Sequence, residues 1–247
     1  MRKAVPLWLA VALSCAPAWA QGNSCADCHV ANGGEPWPEH QADWDMSAHS
    51  HRRVTCEKCH AGDAASFDVT QAHARVLRSS DPASPTHRAN LPATCGRCHP
   101  GPFAAFGKSR HNQRLRGGDA QAPSCSTCHG AVAARLPTPK LLAATCDGCH
   151  GEGKAAPRPE RAARASDLLA RIQAARDELR SASARIRQVS DAARRHRLED
   201  AYEEAQGPLT QAVHAGHGFV FDELEERLAL SRRRSEALLA ELAGPAR

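Results

Sequence analysis

One pattern, Cys-x-x-Cys-His, occurs five times in this chain of 247 residues and restricts what the chain can fold into. The copies are called motifs 1 to 5 in chain order: Cys25, Cys28, His29; Cys56, Cys59, His60; Cys95, Cys98, His99; Cys125, Cys128, His129; and Cys146, Cys149, His150. They use ten of the eleven cysteines, and a histidine directly follows every pair. The pattern therefore reflects one repeated chemical requirement.

Cys-x-x-Cys-His is the attachment signature of c-type haem. The two thiols bind one porphyrin through thioether bonds, and the adjacent histidine is a proximal ligand of the iron. Disulfides would not require a histidine after each pair, and zinc sites with four ligands do not divide evenly into such triples. A thioredoxin-like redox pair would occur once. The sequence therefore predicts five covalently attached haem c groups.

Composition supports a core built around cofactors. The sequence contains five Phe, four Trp and one Tyr, and its N-terminal part is rich in Gly, Pro and short loops. Such a segment buries too little apolar surface to offset the conformational entropy lost on folding. We therefore expect the porphyrins to fill much of the interior.

The first twenty residues are typical of a secretory signal peptide. Arg2 and Lys3 precede an apolar run over 4–13, and Ala18-Trp19-Ala20 forms a small-x-small cleavage site. We predict cleavage after Ala20 and a periplasmic protein. Other apolar runs are too short to span a bilayer, so no membrane span is expected in the mature chain.

The nine histidines outside the motifs are candidates for the second axial ligands: His40, His49, His51, His73, His87, His111, His196, His214 and His217. Met46 is the one methionine left after cleavage, which favours bis-histidine haems of low potential. His49 and His111 each lie in a short polar segment that leads into the next motif. These two are the strongest candidates from local context.

Two stretches resemble the periplasmic multihaem cytochrome c family: AHARVLRSSDPASPTHRANLPATCGRCH and FGKSRHNQRLRGGDAQAPSCSTCHG. Members of that family repeat a Ser-x-His segment, a Gly- and Ala-Pro-containing linker and Cys-x-x-Cys-His-Gly. The resemblance covers about residues 23–151 and implies that His49, His73 and His111 are distal ligands. His87 occupies a less constrained position in that pattern and ranks lower.

The chain departs from the family after motif 4, where CHGAVAARLPTPK lacks the histidine that often follows. One haem must then take its ligand from elsewhere or stay five-coordinate. His214 resembles the Val-His position that supplies a distal ligand from C-terminal helices in multihaem cytochromes. We expect His214, in preference to His217, to be a ligand. The remaining place stays open among a larger group: His40, His51, His87, His196 and His217.

The composition changes after motif 5. Residues 162–198 lack Gly and Pro, and their apolar residues recur at spacings of three, four or seven, which predicts an amphipathic helix. Gly207-Pro208 is expected to break the chain before a second long helix that ends near Leu242. The predicted fold is mainly α with extensive loops: a haem-binding domain over 21–155, then an antiparallel helical hairpin over 156–247 that packs on it.

These features predict an exported pentahaem c-type cytochrome that carries electrons. Expected partners are a quinol-oxidising membrane cytochrome, other cytochromes or a terminal reductase, and a homodimer through the C-terminal helices is possible. The alternative is a nitrite- or hydroxylamine-type multihaem oxidoreductase with one open haem site. The net charge of +5 falls to +3 without Arg2 and Lys3. Haem propionates would make it negative, so the basic charge says little about partners. A nucleic-acid role is not expected, because no aromatic residues are interleaved with the basic ones and an exported protein is in the wrong compartment.

Overall fold

The computed structural model describes residues 24–33 and 37–244, and this part of the chain is helical with long connecting loops and no strand. The predicted signal peptide lies outside the described residues. The helices are α1 Ser24–Asn32, α2 Trp37–Asp45, α3 Ala48–His51, α4 Glu57–His60, α5 Val69–Ala72, α6 Leu91–Gly96, α7 Pro100–Gly107, α8 Arg110–Arg116, α9 Cys125–His129, α10 Pro139–His150, α11 Pro159–Ile186, α12 Ala192–His217 and α13 Phe221–Ala243. The prediction of a mainly α fold with extensive loops is confirmed. No described helix is long and apolar enough to cross a membrane.

The helices that carry the motifs are short and bury few apolar side chains. Of the 21 buried hydrophobic residues in the described part, five lie before residue 150: Ala26, Phe106, Leu115, Ala122 and Ala133. Three of the five are alanines, so little of this segment's interior consists of packed side chains. Local hydrogen bonds set the helix starts instead, with side chains of Ser47, Asp68, Ser109 and Thr138 accepting from the first turns.

The three long C-terminal helices form the main side-chain core. Helix α13 returns along α12 after a three-residue turn as an antiparallel hairpin, and α11 packs against both, so three long helices stand where two were expected. The predicted apolar stripe of α11 is buried in this bundle at Leu168, Ile172, Leu179 and Ile186. Because these side chains are covered within the chain, a dimer would have to use another face of the bundle.

Two expectations about helix limits were wrong. Residues 162–198 were expected to form one helix, but α11 ends at Ile186 and α12 begins after Asp191, whose carboxylate accepts a hydrogen bond from the Arg194 N–H at 2.6 Å. Gly207-Pro208 was expected to interrupt the chain, but both residues lie inside α12, with Pro208 buried.

A contact from the neighbouring helix explains why α12 tolerates this proline. Proline has no N–H, so the carbonyl of Glu204, four residues earlier, loses its helical partner. The guanidinium of Arg234 in α13 donates to that carbonyl at 2.8 Å. Ser231 lies one helical turn before Arg234 on α13, and its buried hydroxyl donates to the carbonyl of Ala205, also at 2.8 Å. The hairpin thus supplies the hydrogen bond that the local sequence removes.

Replacing Arg234 by methionine should therefore lower the free energy of unfolding by about 0.5–1.5 kcal/mol, the usual contribution of one hydrogen bond. Thermal melts followed by circular dichroism at 222 nm would measure the change. The matched control is Arg233→Met, which removes a neighbouring exposed arginine and should leave the melting temperature unchanged. Equal destabilisation by both substitutions would contradict the role given to Arg234.

Candidate haem sites

Each motif is folded into a turn of helix that places its three functional side chains together. In motif 2 the His60 N–H donates to the Cys56 carbonyl at 2.9 Å, and in motif 3 the His99 N–H donates to Cys95 in the same way at 2.9 Å. Residues three and four apart share one face of a helix. Both thiols and the imidazole of a motif can therefore face one bound group.

A second histidine lies opposite each of the five motif histidines. The ring centroids are separated by 5.9 Å for His29 and His73, 5.8 Å for His60 and His40, 6.2 Å for His99 and His49, 6.1 Å for His129 and His217, and 5.9 Å for His150 and His111. The rings of His129 and His217 are nearly parallel, at 8°, whereas the other pairs are tilted by 47–59°.

This spacing fits a metal ion between each pair of rings. A metal–imidazole bond is about 2 Å long, so two imidazoles that bind one metal ion from opposite sides have ring centroids roughly 6 Å apart. The observed separations of 5.8–6.2 Å are close to that value. With two thiols beside each pair, the donor set fits a covalently attached haem with two axial histidines.

Backbone carbonyls hold several of these rings in place through Nδ1. The Nδ1 atoms lie 2.7–2.9 Å from carbonyl oxygens: His73 from Val69, His129 from Arg135, His150 from Ala156 and His217 from Val213. A ring whose Nδ1–H donates to a carbonyl has its lone pair on Nε2, and such bonds orient metal-ligating histidines. In these four imidazoles Nε2 is therefore the nitrogen that can bind a metal.

Burial favours the neutral imidazole, which is the form that binds a metal, in five of the opposed rings. It is the largest cause of a lowered pKa in His40, His49, His60, His111 and His217. Repulsion from the opposed histidine lowers the pKa further: His99 acts on His49, His40 on His60, and His150 on His111.

The Ser-x-His segments owe their geometry to helix capping. Ser47 begins α3 and accepts a hydrogen bond from the Ser50 N–H, and Ser109 begins α8 and accepts from the Asn112 N–H at 3.1 Å. Both serines are buried. In each segment the candidate ligand, His49 or His111, is the second residue of the helix. The capped turn therefore fixes the backbone from which its side chain projects.

The structure also differs from the ligand set expected from sequence. His40 on α2, which was one of several candidates for the last place, lies opposite His60. On α12 it is His217, not the preferred His214, that lies opposite a motif histidine. The imidazole of His214 packs against the backbone of Gly101 instead, so closely that a Cβ atom there would lie 2.3 Å from Nε2.

Hydrogen bonds tie successive motifs together in chain order. The hydroxyl of Ser24, beside motif 1, donates to the carbonyl of Ala64 just after motif 2. The guanidinium of Arg97, inside motif 3, donates to the carbonyl of Lys58 inside motif 2. Ser124, which precedes motif 4, donates to the carbonyl of Arg88 ahead of motif 3, at 2.8 Å. Helices α9 and α10, with motifs 4 and 5, also pack together.

The cysteine thiols of successive motifs also lie near one another. Burial raises the pKa of Cys25, and the nearby Cys56 raises it further. Burial likewise raises the pKa of Cys59, with a further contribution from Cys95. These effects place the thiols of motifs 1 and 2, and of motifs 2 and 3, near each other.

Motifs 3, 4 and 5 are linked in the same way. A hydrogen bond between the Cys95 and Cys125 thiols raises the pKa of Cys95 and lowers that of Cys125. Burial raises the pKa of Cys128 to about 11, and Cys146 adds to the shift. Adjacent haem-attachment positions thus follow one another along the whole chain.

A helical fold with repeated Cys-x-x-Cys-His turns and opposed histidines defines a class of proteins built around covalent haem. In keeping with this, residues 81–151, which contain motifs 3 to 5, match the family model described as cytochrome c7 and related cytochrome c. No curated protein and no solved structure matches the chain significantly. The match supports a multihaem c-type cytochrome that binds haem covalently and transfers electrons to and from redox partners.

Proposed function

We propose that the chain is a pentahaem electron carrier in which every iron has two histidine ligands. The proposed pairs are His29 with His73, His60 with His40, His99 with His49, His129 with His217 and His150 with His111. The five opposed histidine pairs are the observation that carries this proposal. Two of these pairs use a ligand that sequence alone ranked second or left undecided.

The chain's own residues would hold the cofactors and set their environment. When bound, each haem supplies an iron that accepts and releases one electron. The motif cysteines would hold the porphyrin covalently, and the opposed histidines would bind its iron. Carbonyl hydrogen bonds to Nδ1 raise the basicity of the imidazoles, which favours the oxidised metal and a low potential.

The arrangement of the motifs supports transfer along the chain order. Motifs 1 and 2, 2 and 3, and 3 and 4 are joined by the side-chain hydrogen bonds at Ser24, Arg97 and Ser124. Motif 5 follows through the contact between α9 and α10. Neighbouring sites would then exchange electrons directly, with motifs 1 and 5 at the two ends.

The oxidoreductase alternative requires a site with one open axial position. In the described part of the chain, each of the five motif histidines already has another histidine opposite it. This favours the carrier over a nitrite- or hydroxylamine-type enzyme. Electron donors and acceptors would be a quinol-oxidising membrane cytochrome, other cytochromes or a terminal reductase. If the predicted signal peptide is cleaved on export, the exchange would occur in the periplasm.

The proposal is tested on protein produced with cytochrome maturation. Mass spectrometry should show the polypeptide plus five porphyrins, and replacing both cysteines of one motif by alanine should remove one of them. The ferric spectrum should be fully low-spin, and the reduced protein should not bind carbon monoxide. A high-spin band with ready binding of carbon monoxide would support the enzyme instead.

A further inference from the structure

The turn between α12 and α13 lies against two of the five histidine pairs. It consists of Gly218, Phe219 and Val220, and it directly follows His217, which faces His129 of motif 4. Phe219, two residues after His217, contacts His111, which faces His150 of motif 5.

The backbone of Phe219 is strained. Its φ of 59° lies in the left-handed region, which a bulky side chain rarely adopts. Two hydrogen bonds hold the turn: Phe219 N–H donates to the Gly216 carbonyl and Val220 N–H to the Ala215 carbonyl, both at 3.0 Å. These two bonds are those of a Schellman motif, so the ending of α12 imposes this φ on Phe219.

The strained backbone directs the phenyl ring into a contact with the imidazole of His111. The two ring centroids are 4.2 Å apart and the planes cross at 79°, an edge-to-face arrangement. The phenyl ring also lies near Phe106, with ring centroids 6.5 Å apart, and packs against the small buried cluster that Phe106 forms with Leu115. This cluster holds Phe219 while its ring contacts the imidazole of His111.

His111 needs such support more than several other candidate ligands do. Four of them have Nδ1 bonded to a backbone carbonyl: His73, His129, His150 and His217. Among the described residues, no side-chain hydrogen bond fixes the ring of His111. Its orientation about the side-chain bonds is set by ring contacts, of which the one with Phe219 is the shortest.

We propose that Phe219 is a positioning residue that holds the imidazole of His111 in its ligating orientation toward the motif 5 site. This rests on the proposed function, because it requires His111 to be an axial ligand. One turn of the C-terminal bundle would then control axial ligation at two neighbouring sites: motif 4 through His217 itself, and motif 5 through Phe219.

The test uses three substitutions in the full, haem-loaded protein. Phe219→Gly removes the ring and also relieves the backbone strain, because glycine accepts a positive φ. Phe219→Leu keeps an apolar side chain without the ring, and Phe219→Tyr keeps the ring. The control is Phe221→Leu, which alters a buried phenylalanine two residues away that faces Arg161 and Arg164.

We expect the reduced glycine and leucine variants to bind up to one carbon monoxide per protein molecule, where the unaltered protein binds none. Their ferric spectra should show a high-spin signal from one haem in five. The tyrosine variant and Phe221→Leu should remain low-spin. Mass spectrometry should show five porphyrins in each variant, which separates lost ligation from lost attachment.

His111→Ala serves as the reference for a missing ligand. If it opens one haem while Phe219→Gly and Phe219→Leu stay fully low-spin, Phe219 has no positioning role and the proposed function stands. If His111→Ala itself leaves all haems low-spin, the ligand assignment at motif 5 is wrong, and with it the role of Phe219. A tyrosine variant as defective as the glycine variant would also overturn the proposal.

Discussion

Replacing His217 by alanine should convert one haem in five from low-spin to high-spin and let the reduced protein bind one carbon monoxide per molecule. His217 faces His129 with parallel rings whose centroids are 6.1 Å apart, and its Nδ1 lies 2.8 Å from the Val213 carbonyl. Alanine removes this ligand, and the ring of the neighbouring His214 packs against Gly101 and lies opposite no motif histidine among the described ring contacts. Optical spectra of the ferric protein and titration of the reduced protein with carbon monoxide would measure both changes.

His214→Ala is the matched control, because it removes a histidine from the same helix one turn earlier. It should keep all five haems low-spin and leave carbon monoxide unbound. An open haem in the His214 variant, with none in the His217 variant, would contradict the pairing of His129 with His217. That result would instead support the ligand preferred from sequence.

The two histidines show why sequence located some candidate ligands and not others. The motifs are local, because covalent spacing places both thiols and the imidazole on one helical turn. Ser47 and Ser109 also act locally, since each begins a turn that presents the histidine two residues later. Signals of this short range can be recognised in the sequence before the tertiary structure is known.

The remaining ligands depend on how distant segments meet. Helix α12 packs on α7, where His214 lies against Gly101, and the same helix presents His217 to His129 of motif 4. His40 has proline, and no serine, two residues before it, so nothing local separates it from His51. Tertiary packing decides both cases.

The same distinction applies to the fold. The apolar stripe of α11 follows from helical periodicity and was predicted correctly. The break at Gly207-Pro208 was predicted from a local rule that the structure overrides, because Arg234 of another helix supplies the missing donor to Glu204. The local rule failed here because a residue distant in sequence donates the hydrogen bond that the backbone carbonyl lacks.

Removing the haems should unfold the N-terminal part and spare the C-terminal bundle. Ten buried Leu, Ile and Phe side chains lie between residues 162 and 238, and two lie before residue 150, Phe106 and Leu115. Each such side chain contributes about 1.5–3 kcal/mol when fully buried, so the bundle retains a core of its own while the motif segment does not. In chain made without cytochrome maturation, limited thermolysin digestion should leave a protected fragment that begins between residues 150 and 165.

The haem-loaded protein is the control, and its motif segment should resist thermolysin under the same conditions. Circular dichroism of the haem-free chain should keep most of the signal from α11, α12 and α13, with a melting transition that persists after digestion. Equal protection of residues 24–150 with and without haem would mean that side chains alone stabilise this segment. The sparse burial of apolar side chains there and the similar spacing of the five opposed histidine pairs indicate the reverse, that bound porphyrins would complete the core of this segment.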